Sequence, residues 1–173
     1  MDNLNSLQIR KLFHILCALG FSPEGAHIQD ELHIVIRKQL SSPALKYKRI
    51  GVIGAMRMVA HMGARGGRSS EALAVSVLRQ VTSLLELARS CCEQSPLSAA
   101  FYYDELADLV PGKSLDPQVM EHLRKTVVED FQDDYVVDLE QAVDGTHLFP
   151  VRAMYNLEDD ESQSLVVINS HLL

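Results

Sequence analysis

The sequence LKYKRIGVIGAMRMVAHM, at residues 45–62, predicts a helix that is buried on two sides. At 100° per residue its apolar side chains form two stripes on roughly opposite faces. Gly51 and Gly54 lie on one stripe, although a glycine inside a helix costs about 1 kcal/mol relative to alanine. Close approach of another helix explains them better than helix propensity does. We therefore expect a central helix with neighbours on both faces. The first stripe holds Leu45, Val52, Ile53, Met56, Val59 and Ala60, and the second holds Tyr47, Gly51, Gly54, Ala55, Met58 and Met62.

Start and stop signals predict five further helices around this one. Asn5 and Gln8 have the spacing of a capping box, and the helix that they open ends at Gly20. Its predicted apolar stripe is Leu7, Ile9, Leu12, Phe13, Leu16 and Leu19. A second helix is predicted from about His27 to Leu40, and Ser42-Pro43 is predicted to open the central helix. Three later helices are predicted from their capping residues: Ser69 or Ser70 opens a helix to about Cys92, Ser95-Pro96 a helix to Val110, and Asp116-Pro117 a helix through Phe131.

The spacing of these helices predicts the fold class. Successive helix pairs begin roughly 40 to 50 residues apart, which is the period of HEAT and armadillo repeats. We predict an all-α, antiparallel helical-repeat (HEAT/armadillo-like) α-solenoid segment over residues 1–135, with an irregular acidic tail at 136–173 that can pack on the helices. Neither end has an obvious polar cap, which suggests an interior piece of a longer array. A compact bundle remains the alternative, because the helix pairs share no detectable sequence identity.

The sequence carries no pattern for catalysis or metal binding. Its seven histidines are never three or four residues apart, and no phosphate-binding glycine loop is present. Three cysteines, two of them adjacent, suit a reducing compartment, and Cys17 is expected to be a small buried hydrophobe. No apolar run is long enough to span a membrane, and no signal peptide is apparent. We expect a soluble, non-enzymatic protein without a cofactor.

Charge is divided sharply along the chain, whose net charge is -7. Residues 37–68 hold eight Lys or Arg and no Asp or Glu, whereas residues 101–173 hold sixteen acidic residues against four basic ones. A basic block of this kind can attract a polyanion. It can equally be neutralised by acidic surfaces nearby, so both interpretations stay open.

Short strings along almost the whole chain resemble an internal segment of the Fanconi anaemia group D2 family. They are IRKLF (9–13), VIRKQLSS (35–42), KYK (46–48) with IG (50–51) and IGA (53–55), QVTSLL (80–85), EQSP (93–96) with YYDE (102–105), LDP (115–117) and DFQD (130–133). The resemblance implies a large nuclear α-solenoid without enzymatic activity that pairs with the Fanconi anaemia group I protein. It further implies that the pair clamps double-stranded DNA at interstrand crosslinks once one lysine of each partner carries ubiquitin. The resemblance puts that lysine outside this segment.

The basic block supplies the candidate DNA contacts on this hypothesis. They are Lys46, Lys48, Arg57, Arg65 and Arg68. Arg49 lies on the apolar stripe, so we expect it to pair with a carboxylate of a neighbouring helix. Ser162, followed by Gln163 in an acidic run, is a candidate phosphorylation site. The alternative function is a protein interaction solenoid in which the basic block meets an acidic partner and no DNA.

Overall fold

Six helices account for nearly all of the structure, a computed structural model that describes residues 3–64, 73–110 and 115–135. They are α1 (Ser6–Gly20), α2 (Ala26–Leu40), α3 (Leu45–Met62), α4 (Val75–Cys92), α5 (Pro96–Leu109) and α6 (Pro117–Tyr135). Within the described ranges the only strand-like pairing is an isolated bridge between Ala64 and Leu115. The all-α prediction and the order of six helices are confirmed. The predicted tail at 136–173 lies outside the described residues.

Local capping explains where several helices begin. The Asn5 side chain accepts a hydrogen bond from Gln8 N at 2.9 Å, and Gln8 Oε1 accepts one from Asn5 N at 2.9 Å, which completes the predicted capping box. Ser95 caps α5 with proline as its first residue, and Asp116 Oδ1 accepts from Gln118 N at 2.8 Å at the start of α6.

The predicted Ser42 cap of the central helix is wrong, although the helix has the bounds Leu45–Met62. Ser42 Oγ accepts a hydrogen bond from Ala44 N at 3.3 Å, so its hydroxyl stabilises the turn and does not cap the helix. Ala44 is extended, and α3 begins at Leu45. The predicted caps of α4 are wrong as well, since α4 begins at Val75 with Ala74 at its N-cap position, whereas Ser69 and Ser70 lie outside the described ranges.

The centre of the fold is α3, which packs against α1, α2, α4 and α5. Every residue from Ile50 to Met56 is buried, as are Met58, Val59 and Met62. Burial of each large aliphatic side chain contributes about 1.5–3 kcal/mol before chain entropy is subtracted. The two-sided burial predicted for this helix is confirmed. Helices α1, α2 and α3 contact one another, as do α3, α4 and α5, which is the packing expected of a helical-repeat segment.

The glycines of α3 lie where neighbouring helices come close. A β-carbon on Gly51 would be 2.6 Å from the backbone nitrogen of Leu40 in α2. A β-carbon on Gly54 would be 2.8 Å from the side chains of Phe13 in α1 and Ile36 in α2. Both distances are too short for a real β-carbon, so the predicted close approach is confirmed.

The buried face of α1 differs from the predicted stripe. Ile9, Phe13, Cys17 and Gly20 are buried, whereas the side chains of Leu7 and Leu19 are 57% and 51% exposed. A stripe centred on Phe13 and Cys17 therefore faces α2 and α3. The predicted stripe included the exposed Leu7 and Leu19 and omitted the buried Cys17 and Gly20.

An ion pair within the core connects α1 to α5. Arg10 donates from Nε to Glu105 Oε1 at 2.8 Å, and from its terminal nitrogen to the same oxygen. The Glu105 side chain is fully buried, and its second oxygen has no hydrogen-bond partner among the described residues. Glu105 also raises the pKa of Arg10, chiefly through this hydrogen bond. The pair is part of the compact unit that ends at Glu121, inside α6.

Candidate nucleic-acid interface

Only three of the five candidate DNA contacts lie in the described part of the chain. Lys46 is exposed in the first turn of α3, whereas Lys48 and Arg57 are half-buried further along the same helix. Arg65, Arg68 and the phosphorylation candidate Ser162 lie outside the described residues. Of the three described candidates, only Lys46 is exposed.

Lys48 connects α3 to the end of α4. Its Nζ donates a hydrogen bond of 2.6 Å to the carbonyl oxygen of Cys91, in the last turn of α4. Carbonyls of a final helical turn have no partner within the helix, and a cation near a helix C-terminus is favoured by the helix dipole. Lys48 therefore has a structural partner that a phosphate would have to displace.

Arg49 has no carboxylate partner among the described residues, and a ring takes the place of the carboxylate predicted from its phase on α3. Its guanidinium carbon lies 5.5 Å from the centroid of the Phe101 ring on α5. This separation is within the range of a cation–π interaction. Its Nε is buried and has no hydrogen-bond partner in the described structure. The Arg49 guanidinium thus lies over an aromatic ring of α5.

Arg57 faces the junction of α1 and α3. Its Nε is buried without a hydrogen-bond partner among the described residues. Burial raises the pKa of the Cys17 thiol on α1 to about 11, and the positive charge of Arg57 opposes that shift. A thiol with so high a pKa is a poor nucleophile at neutral pH. The interpretation of Cys17 as a small buried hydrophobe therefore holds.

Two histidines and a phenylalanine form a ring cluster next to Arg57. The His14 and His61 ring centroids are 5.4 Å apart, and Phe21 is stacked on His61 at 6.0 Å. Burial lowers the pKa of His61, and the neighbouring His14 and Arg57 lower it further. Sequence spacing could not reveal this cluster, because His14 and His61 come from different helices.

Residues with metal-binding side chains do not cluster in the described ranges. No group of three or more His, Cys, Asp or Glu side chains in those ranges could hold a metal ion. None of the helices in the same ranges combines the length and the apolarity that crossing a membrane would need.

Exposed basic residues gather where α2 ends and α3 begins. Arg37 and Lys38 are exposed in the last turn of α2, and Lys46 is exposed in the first turn of α3. We call Arg37, Lys38 and Lys46 the α2–α3 end. Arg37 and Lys38 were part of the basic block but not among the candidate contacts. Their positions in the final turn before the Ser41-Ser42-Pro43 stop could have identified them.

The family model and the similar proteins that match this chain all come from one family. The model of the family described as "Fanconi anaemia protein FancD2 nuclease" matches residues 1–173. The chain is 46% identical over 182 residues to the Fanconi anemia group D2 protein of Gallus gallus, a match that covers 98% of this chain and 12% of that protein. It is 43% identical over 178 residues to the Fanconi anemia group D2 protein homologs of Mus musculus and Rattus norvegicus, again over 98% of this chain and 12% of each relative. These matches show that the chain, which spans a small part of its relatives' length, belongs to the FancD2 family.

Proposed function

We propose that the chain is a non-catalytic scaffold segment of a nuclear DNA interstrand-crosslink repair protein. In this proposal the protein pairs with the Fanconi anaemia group I protein and clamps double-stranded DNA after monoubiquitination of a lysine outside this segment. Membership of the FancD2 family supports the repair role. The observation that carries the DNA contact is the exposure of basic side chains in a stretch that has no acidic residue between positions 37 and 68.

Contacts with phosphate suit a clamp because they do not depend on base sequence. Lys and Arg side chains that neutralise phosphates release bound counterions, so affinity falls steeply as salt rises. Such contacts fix the position of a protein on the duplex, and base contacts supply specificity. A scaffold that must close on DNA of any sequence needs only the first kind.

The non-catalytic part of the proposal needs a direct test, because the family description contains the word nuclease. The test incubates the 173-residue chain with end-labelled double-stranded, single-stranded and branched DNA in Mg²⁺ and in Mn²⁺. The proposal expects the DNA to remain intact at molar ratios of protein to DNA of one or more. Cleavage that persists through purification, and that is lost in a variant of this chain, would overturn it.

A protein interaction solenoid without DNA contact is the second candidate function. The buried part of the basic block favours it, since Lys48 and Arg49 have protein partners. The variant Lys46→Glu/Arg65→Glu/Arg68→Glu distinguishes the two functions, and it spares Lys48 and Arg57 because changes there would disturb the packing of α3. The scaffold-and-clamp proposal expects weaker binding to double-stranded DNA and unchanged binding to the group I protein. The reverse result would favour the second function.

Ser162 remains a proposed phosphorylation site. A phosphate there would add about two negative charges to the acidic half of the chain. We expect phosphorylation to weaken binding to double-stranded DNA, and mass spectrometry of the chain after treatment with a Ser-Gln-directed kinase would show whether Ser162 is modified.

A further inference from the structure

We propose that His14, Arg57 and His61 form a binding site for a phosphate group at the junction of α1 and α3. Of these residues only Arg57 was a candidate contact from sequence, and the two histidines join it through the packing of α1 on α3. Such a site can bind phosphate whether or not the chain contacts double-stranded DNA, so it goes beyond the proposed function.

Three side chains from two helices meet at this junction. Arg57 and His61 are four residues apart on α3, so they lie on the same face of that helix. His14 comes from α1, and its ring centroid is 5.4 Å from that of His61. The ring of Phe21, at the end of α1, stacks on His61 with the two planes 3° apart, which restricts the orientation of that imidazole. Packing thus brings three nitrogen-bearing side chains together in a fixed arrangement.

Arg57 brings to the site a cation whose donors are not satisfied by the described protein. Its Nε is buried without a hydrogen-bond partner, and the described residues provide no hydrogen bond or ion pair for the rest of its guanidinium. The charge of Arg57 acts on the pKa of both Cys17 and His61, which puts the guanidinium beside the histidine pair. A buried donor without a partner destabilises a fold, and an anion at this junction would satisfy it. Arg49 also has a buried Nε without a partner, but its guanidinium lies over the Phe101 ring.

The charges that surround His61 have one sign. His14 from α1 and Arg57 from α3 both lower the pKa of His61 beyond the effect of burial, and no carboxylate of the described residues opposes them. The surroundings of His33 on α2 differ, because Asp30 there opposes the effect of Arg37. An opposite charge close to a titratable group favours its charged form. A bound anion would therefore raise the pKa of His61, and this gives the site a signature that can be measured.

A phosphate group matches these donors better than a carboxylate does. A phosphate monoester carries three strong acceptor oxygens and close to two negative charges at neutral pH. Arginine commonly binds phosphate through two parallel N–H···O bonds. A histidine donates one N–H when it is neutral and two when it is protonated. Arg57 and the two histidines can therefore satisfy all three oxygens, whereas a carboxylate offers only two.

Histidine NMR of the 173-residue chain tests the site. The ring Cε1–H signals are followed through a pH titration in saturating inorganic phosphate, and again in NaCl of equal ionic strength. We expect phosphate to raise the pKa of His61 by about one, the lower end of what a nearby opposite charge produces. A rise of that size means about ten-fold tighter binding of phosphate when His61 is protonated. His33 is the control within the same spectrum, and its pKa should be equal in the two solutions.

Variants show whether the three side chains act together. Arg57→Gln should abolish the response of His61 to phosphate, whereas Arg57→Lys should keep part of it, because the charge remains and the planar fork of donors is lost. Circular dichroism checks folding. If Arg57→Gln unfolds, His14→Gln replaces it at an exposed position, and the rise in the pKa of His61 should then be smaller than in the unaltered chain. A response of equal size in the folded variant would overturn the proposal.

A duplex without terminal phosphates, used in place of inorganic phosphate, separates the two sources of the ligand. A response of His61 to both probes supports the site and makes the DNA backbone one source of its phosphate. A response to inorganic phosphate alone supports the site, and any DNA contact of the chain then lies elsewhere. If inorganic phosphate leaves the pKa of His61 at its value in NaCl, the proposal is wrong, whatever the duplex does.

Discussion

The Arg10–Glu105 pair is the residue contact whose loss should destabilise the fold most. Removing Arg10 leaves a fully buried carboxylate whose second oxygen has no hydrogen-bond partner among the described residues. Breaking a buried pair by removing one partner costs about 3–5 kcal/mol. We expect Arg10→Met to lower the free energy of unfolding by about that amount in urea denaturation monitored by circular dichroism.

The matched double variant tests whether the loss comes from the stranded carboxylate. Arg10→Met/Glu105→Leu removes both charges and keeps apolar volume, and such replacements are often neutral or stabilising. We expect it to be more stable than Arg10→Met alone. A double variant as unstable as the sum of the two single variants would contradict this explanation. Lys125→Met provides an exposed control, since its partner Glu129 is at 3.7 Å on the surface and the loss should be under about 1 kcal/mol.

His61 should make stability depend on pH in the mildly acidic range. Burial, His14 and Arg57 all lower its pKa from the usual 6.5. The unfolded chain then binds the proton at a higher pH than the folded chain does, so stability is fully present above 6.5 and decreases as pH falls toward the folded value. Thermal unfolding between pH 8 and pH 5.5 should show Tm falling below pH 6.5. The variant His61→Leu should show a smaller fall, and an equal fall would assign the effect to other groups such as His33, whose pKa is also lowered by burial.

Helix α3 depends on its glycines for contact with α2. In Gly51→Ala the new methyl group would meet the Leu40 backbone nitrogen at 2.6 Å, and backbone cannot move aside as a flexible side chain can. Overpacking of this kind costs about 1–3 kcal/mol. Alanine's intrinsic advantage in a helix is only about 1 kcal/mol. We therefore expect Gly51→Ala to lower the free energy of unfolding.

A control on the same helix isolates the packing effect. Ala60 is half-buried, so Ala60→Gly should cost little beyond helix propensity, about 1 kcal/mol. If Gly51→Ala instead stabilises the protein in urea denaturation, the close approach of α2 to α3 is not as tight as the backbone positions indicate.

The extent of α3 and its two buried faces could be predicted because residues 45–62 form two apolar stripes, one of which contains both glycines. The buried face of α1 could not, because Leu7 and Leu19 compete with Cys17 and Gly20, and only the neighbouring helices decide which set is covered. The cap of α3 was wrongly assigned to Ser42 because a Ser-Pro pair can stabilise a turn as readily as it can cap a helix.

Site residues were harder to predict than helices, since charge in a sequence does not reveal what surrounds it. Nothing in the sequence distinguishes Lys48 and Arg57 from exposed basic residues, because they are half-buried by the neighbouring helices α1 and α4. The partner of Arg49 proved to be the ring of Phe101, and Glu105 was an unrecognised signal. A carboxylate among buried residues such as Tyr102, Leu106 and Leu109 of α5 indicates a buried cation opposite it.

Across the described helices, some basic residues are half-buried between elements and others are exposed. Lys48 and Arg49 connect α3 to α4 and α5, whereas the α2–α3 end presents three exposed cations. The proposed function needs both kinds. The first keeps the helices in register, and the second provides contacts that do not depend on base sequence.

Lysine footprinting would test the proposed DNA contact most directly, without any mutation. The 173-residue chain is acetylated with a lysine-selective reagent in the presence and absence of saturating double-stranded DNA, and the modified sites are quantified by mass spectrometry. We predict that DNA slows modification of Lys46 and leaves Lys11 and Lys125 unchanged. Lys46 modified at the same rate with and without saturating DNA would contradict the proposed DNA contact.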